Sequence, residues 1–326
     1  MTLLVIDRSD VELECEGNAL VVREGGRRTT LPLRQVTRAV LQGAGMRLQL
    51  SVLQKLAENG ATTVLLSARR TRRVALVLGN AHNDARLRLS QAMKVVDVDY
   101  CLAWSRIVVA AKLLRQARLV HEWVHARPDA RFELVRAHRG LMGLSGKPEL
   151  VQDVDALRGI EGAGARMHFQ ALSCVVPPSL GFTGRNRRPP RDPLNAALSL
   201  GYTLLHTEAV HALHAAGLDP LLGFYHRPAF GRESLASDLI EPLRPAVDRW
   251  LWRLFAARVL REDHFTLDGE ACLLGKAGRG VFFAAWAEYR SFPARWLARA
   301  SRRLANNLAA SGEMPFEGAE ESWDEA

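Results

Sequence analysis

Cysteine is scarce in this chain. The 326 residues contain four (Cys15, Cys101, Cys174 and Cys272), far apart and with no CxxC pair. That excludes a zinc ribbon or a disulfide framework and points to reduced thiols in a cytoplasmic protein. Long apolar runs are missing as well. None approaches the roughly 20 residues of a membrane-spanning helix, so no membrane association is expected. The opening MTLLVIDRSD has no basic segment and reaches an acid by Asp7, which argues against a secretory signal. Neither GxxxxGK[ST] nor GxGxxG occurs, which sets nucleotide binding aside. No nucleophile elbow and no supported Ser-His-Asp or Cys-His arrangement is present. The chain shows no internal repeat.

Arginine, in contrast, is plentiful. Formal net charge is +9, from 44 Lys and Arg against 35 Asp and Glu. The acid is unevenly placed: residues 311–326 hold six carboxylates (Glu313, Glu317, Glu320, Glu321, Asp324 and Glu325) and no basic residue. Without that segment the body carries +15, and the segment itself reads as a disordered acidic tail. A guanidinium fork suits phosphate better than an ammonium does, so a nucleic-acid partner leads. Arginine-rich codon usage would also produce a basic chain. The length and a hydrophobic content of 48% fit a globular protein of two domains.

Residues 1–80 have the pattern of a β domain. Short alternating segments (Leu3–Val5, Val11–Cys15, Leu20–Val22) are broken by Glu16-Gly17-Asn18 and Gly25-Gly26. The apolar runs Val64–Leu66 and Val74–Leu78 follow, with one amphipathic helix at about Leu48–Glu58 between the two groups. A turn-rich linker, 81–86, leads into helical patterns at about 85–126, 129–142, 149–176, 192–216, 233–260 and 281–309. Asp192-Pro193 is a helix start and Gly217 a helix stop. The fold class expected is α+β: a β-rich domain at 1–80, then a larger all-α domain at 87–310.

The segment GLDPLLGFYHRPAFGRESLASDLIEPLRPAVDR, Gly217 to Arg249, carries the most chemistry. His226 precedes Asp238 and Glu241, which are three apart and therefore share a helix face. Oxygen ligands with one imidazole suit Mg²⁺ or, slightly better, Mn²⁺. Pro242 and Pro245 remove the N–H partners of the Asp238 and Glu241 carbonyls, so a break in the helix is expected there. The competing reading pairs these acids with Arg232, Arg244 or Arg249. A third acid, Glu161, stands among small residues in RGIEGAGAR. Small residues allow close helix packing, and an acid buried that way needs a cation or an arginine. His206, Glu208, His211 and His214 resemble a metal box but lack the HExxH spacing, and they read as helix-packing or surface residues. Two arginine clusters, Arg69, Arg70, Arg72 and Arg73 in a β-turn and Arg185, Arg187, Arg188 and Arg191 in a loop, are candidate DNA contacts or plain solvated surface.

The Gly217–Arg249 segment resembles the signature of the CRISPR-associated protein one family, the CRISPR adaptation integrases. LRGIEGAGARMHF and PPRDPLNAALSLGYTLL resemble two further blocks of that family, in the same order. The resemblance implies that Glu161, His226 and Glu241 are the ligands of Mg²⁺ or Mn²⁺ and the catalytic residues. It places Asp238 beside them, as an additional ligand or behind the ligands. It implies a DNA endonuclease and integrase that inserts short duplex DNA into a CRISPR array through attack by a 3′-hydroxyl. A homodimer joined through the β domains and a small ferredoxin-like adaptation partner are also implied. His168 departs from the family pattern, which often has Tyr there. The alternatives are a transposon-encoded integrase of the same family and a non-catalytic DNA-binding scaffold. Clustered carboxylates that repel DNA speak against the scaffold.

Overall fold

The computed structural model describes residues 2–67, 73–79 and 85–310. Arg69, Arg70, Arg72, linker residues 81–84 and the acidic tail lie outside the described residues. The N-terminal part contains β1 (Thr2–Ile6), β2 (Val11–Glu16), β3 (Ala19–Glu24), β4 (Arg27–Pro32), β5 (Val36–Gln42), β6 (Arg47–Leu48), α1 (Leu50–Glu58), β7 (Thr62–Leu66) and β8 (Arg73–Val77). Two sheets result, ordered β1-β5-β7-β8 and β4-β3-β2-β6.

Strand β5 is central in the first sheet, parallel to both β1 and β7, yet VTRAVLQ shows no strand alternation. The reason is that both of its faces are covered. Ala39 and Leu41 join a core with Leu13, Leu20, Val52 and Leu56, enclosed by the second sheet and α1. Val40, with Val64 and Leu66 of β7, packs into the core of the helical part. A strand buried on both sides has no polar face to alternate with.

The helical part runs α2 (Ala85–Val96), α3 (Val98–Ala126), α4 (Arg131–Ser145), α5 (Val154–Val175), α6 (Pro193–Ala215), α7 (Ser234–Ile240), α8 (Arg244–Ala256), β9 (Phe265–Asp268), β10 (Ala271–Leu274), α9 (Lys276–Tyr289) and α10 (Ser291–Ala310). Four expectations need correction. Residues 281–309 are not one helix, because α9 ends at Tyr289 and α10 starts at Ser291. Residues 85–126 are two helices, because Asp97 caps a new one by accepting from the Tyr100 N–H at 2.9 Å. The linker is shorter than 81–86, since α2 already begins at Ala85. The C-terminal part is not wholly helical: β9 and β10 form an antiparallel hairpin, turned at Gly269 with φ +59°.

The break after the acids takes the expected place. Helix α7 stops at Ile240, a single 3-10 turn follows at Glu241–Leu243, and α8 restarts at Arg244. Pro242 and Pro245 each withhold an N–H that a continuous helix would use.

The two parts are joined by buried polar contacts as well as apolar ones. Arg38 of β5 and Arg290, between α9 and α10, both reach Glu208 of α6, at 3.2 and 3.1 Å. Thr62 of β7 shares a hydrogen bond with His211 Nδ1. Glu208 and His211 are thus packing residues, as their spacing suggested.

Candidate active site

Helix α3, the longest, supplies one wall of the site, and α5 packs across it. An added Cβ at Gly164 of α5 would press into the Leu113 side chain of α3, so glycine sets how close the two helices come. Gly159 and Gly162 face open space, and only Gly164 serves packing. The close approach leaves Glu161, one turn earlier, part-buried against α3.

The Glu161 partner is a lysine, to which no motif in the sequence points. Lys112 extends from α3, its Nζ donates to Glu161 Oε1, and the same Nζ donates to Glu241 Oε2 at 2.6 Å. Two carboxylates from segments 80 residues apart therefore converge on one buried positive charge. Tyr225 donates its hydroxyl to the other oxygen of Glu161. Arg244 donates to Glu241 Oε1 at 3.0 Å, so the arginine pairing considered for Glu241 does form, beside the lysine contact. Arg249 pairs instead with Glu122 of α3.

Burial opposes charge at this site, and neighbours outweigh it. Desolvation pushes the Glu241 carboxyl up, but Arg244, Lys112 and His226 bring it down to about 2. Desolvation likewise works against the Lys112 ammonium, yet Glu241 and Glu161 raise it above its ordinary value. Burial, then Glu161, raises the Tyr225 hydroxyl, which stays a proton donor.

His226 lies in the loop before α7. Asp238, fully buried, accepts four hydrogen bonds from that loop. The Phe224 and Tyr225 amides donate to Oδ2 at 2.8 and 2.9 Å, while the His226 amide and Nδ1 donate to Oδ1 at 2.9 and 2.7 Å. Both Asp238 oxygens are thus committed to holding the loop and the ring. With Nδ1 as donor, Nε2 keeps its lone pair free to accept a proton or a cation. Gly223 makes the docking possible: an added Cβ would lie 2.6 Å from the Ser234 backbone and 2.8 Å from the His226 carbonyl.

Among the described residues, no group of three His, Cys, Asp or Glu side chains is set to hold a metal ion. The Lys112 ammonium stands between the two glutamates instead. Even so, the donor set suits a hard divalent cation. Two carboxylates already share a positive charge, and a neighbouring imidazole has its tautomer set by a buried aspartate.

Beside the site runs an open groove of about 740 Å³ lined by Arg73, Arg187, Arg188, Arg232, Arg244 and Tyr202, among others. Arg244 belongs to both groove and site. The arginine candidates separate here. Arg187 and Arg188 are exposed. Arg185 is held inside by Asn195 and Ser199, at 2.7 and 3.1 Å, and lies over the Tyr202 ring. Arg191 pairs with Glu270 at 3.3 Å at the surface, and Arg73 pairs with Glu233. His168, the departure from the family pattern, is fully buried, bonded to Asp248 at 2.8 Å and stacked on Trp123. Tyr202 donates to the same Asp248. This buried polar network two turns beyond Glu161 could not be read from spacing, because its members come from α5, α6 and α8.

Residues 4–288 match the family described as CRISPR associated protein Cas1. A CRISPR-associated endonuclease Cas1 of Thermodesulfovibrio yellowstonii is 35% identical over 293 residues, 89% of this chain and 91% of the relative. The chain belongs to the Cas1 family. Its fold is also that of a casposase bound to integration product, with a TM-score of 0.82 and 21% identity over 96% of this chain and 92% of that one. A chain of a Cas6-RT-Cas1–Cas2 complex is similar as well, with a TM-score of 0.79 and 23% identity over 95% of this chain and 35% of that one. Among the described residues no helix is long and apolar enough to cross a membrane.

Proposed function

We propose that this protein inserts short duplex DNA into a CRISPR array by phosphodiester transesterification, at a divalent-cation site formed by Glu161, His226 and Glu241. The observation that carries the reading is the meeting of Glu161 and Glu241 on one buried positive charge, next to a histidine positioned by Asp238. A Mg²⁺ or Mn²⁺ ion held there would polarise the target phosphate and favour the alkoxide of the attacking 3′-hydroxyl. Glu161 and Glu241 supply the negative charge that holds the cation, and neutral His226 offers Nε2. Asp238 stands behind the ligands and fixes the ring.

In the reaction a 3′-oxygen forms a bond to phosphorus as a 3′-oxygen of the array leaves and takes up a proton. One phosphodiester forms as another breaks, so no external energy source is required. With water as the nucleophile, the same site would cleave DNA, in keeping with the endonuclease name of the relatives. Arg187, Arg188, Arg232 and Arg244 line the approach and would hold phosphates without reading sequence. The similarity to a chain of a complex that contains Cas2 supports a partner protein, and a small ferredoxin-like one is the partner proposed. A homodimer through residues 1–80 fits the exposed edge strand β4, whose backbone donors and acceptors another chain could cover.

The test is strand transfer of a short duplex into array DNA with Mn²⁺, with and without the partner. Glu161→Ala should lower the rate by a factor on the order of 10² or more while leaving DNA affinity within about twofold, because a carboxylate attracts no phosphate by itself. Retained activity in that variant excludes Glu161 from the chemistry.

A further inference from the structure

Lys112 is the charged member of the site to which the proposed chemistry gives no role. It comes from α3, is 7% exposed, and spends its charge on two glutamates. Lysine is seldom buried, because its ammonium is strongly hydrated and burial strips that water away. Two carboxylates brought together at low exposure repel each other just as strongly unless something positive lies between them. Tyr225 donates to Glu161 and Arg244 to Glu241, each to the oxygen that Lys112 does not use. Both of those donors touch one glutamate each, and Lys112 alone among these three spans the pair.

A divalent cation bound by Glu161 and Glu241 would need the oxygens that Lys112 now holds. Like charges cannot share that space without large repulsion. We infer that Lys112 is a resident counter-ion. Its ammonium holds Glu161 and Glu241 together in the metal-free protein, and it gives up at least one of them when a divalent cation binds. The inference rests on the cation reading above and adds a residue that works against the cation. Lys112 stabilises the empty site and weakens its hold on metal.

The experiment is calorimetric titration of the full chain with Mn²⁺, without DNA, together with thermal unfolding at zero and saturating Mn²⁺. Lys112→Met should bind Mn²⁺ about tenfold or more tightly than the native chain, since one repelling charge is gone. The same variant should melt lower than the native protein without metal, and saturating Mn²⁺ should close the gap. Lys112→Gln is neutral but keeps a donor for the glutamates. It should shift the affinity in the same direction and serves if the methionine variant fails to fold. Unchanged or weaker Mn²⁺ binding in the folded variants overturns the counter-ion role. Glu161→Ala in the native background separates the two readings. If it abolishes binding while the Lys112 variants bind like the native chain, only the counter-ion role falls. If the native binding heat survives Glu161→Ala, the cation is held elsewhere and both readings fall.

Discussion

His226 Nδ1 lies 2.7 Å from Asp238 Oδ1, and the same carboxylate accepts the amide hydrogens of Phe224, Tyr225 and His226. One buried side chain thus fixes the position of the loop and the tautomer of its imidazole. Asp238 and Glu241, three residues apart, do different work. Asp238 faces the loop, whereas Glu241 faces Lys112 and Arg244.

Asp238→Ala should be costly in two measurable ways. Removing the acceptor strands three backbone amides and a ring N–H, at roughly 1–3 kcal/mol for an unsatisfied buried donor. A total loss of about 3 kcal/mol or more in chemical denaturation is expected. Affinity for Mn²⁺ should fall about 10- to 100-fold, as it does when the partner behind a ligating histidine is removed. A variant that keeps native stability would show that the loop has other anchors.

Glu208 makes a separate stability prediction, where the sheet meets the helices. It neutralises Arg38 from the sheet and Arg290 from between the last two helices. Glu208→Ala would leave two buried guanidinium groups without their carboxylate, and a loss of about 3–5 kcal/mol is expected. Urea unfolding measures it directly. A change below about 1 kcal/mol would mean that the arginines find water or other partners.

The histidines of α6 give a pH dependence. Burial, then Arg38 and Arg290, lowers the His211 pKa to about 3, against an ordinary 6.5. As pH falls below about 6.5 the unfolded chain takes up a proton that the folded chain refuses. The stability is therefore complete above about 6.5 and drains away as pH drops toward about 3. The slope from this residue is at most about 1.4 kcal/mol per pH unit, less for a ring that is only part-buried. His206, lowered to about 4 chiefly by burial, acts in the same sense. Denaturation curves between pH 7 and 4 should be visibly flatter for His211→Asn than for the native chain. An equal slope in both would remove His211 from the linkage.

The groove predicts how DNA binding depends on salt. Replacing exposed Arg187 and Arg188 by Ser should weaken binding to unrelated duplexes about equally. The slope of log affinity against log salt should become shallower by about 0.9 for each phosphate that is no longer neutralised. Fluorescence anisotropy across a salt series reads both quantities. Arg185 makes a poor probe, since its ties to Asn195, Ser199 and the Tyr202 ring would mix folding into the result. An unchanged slope returns this loop to ordinary solvated surface.

Local chemistry in the sequence was enough to determine much of this protein. Asp192, Pro193 and Gly217 bound α6 because capping and left-handed backbone depend only on neighbouring residues. Pro242 and Pro245 broke the helix after the acids because a missing N–H acts within one turn. The motifs around Glu161, His226 and Glu241 were enough to identify the family. Strand β5 escaped notice because periodicity reports one buried face, and this strand has two. Lys112 escaped for a related reason. Forty-nine residues separate it from Glu161 and 129 from Glu241, and in sequence it is a single lysine on a long helix with no motif around it. Only the packing of α3 against α5, set by Gly164, and against the turn after α7 brings its ammonium to both acids. Residue spacing along a chain carries charge type and helix face, whereas the meeting of charges from distant segments is decided by how those helices pack.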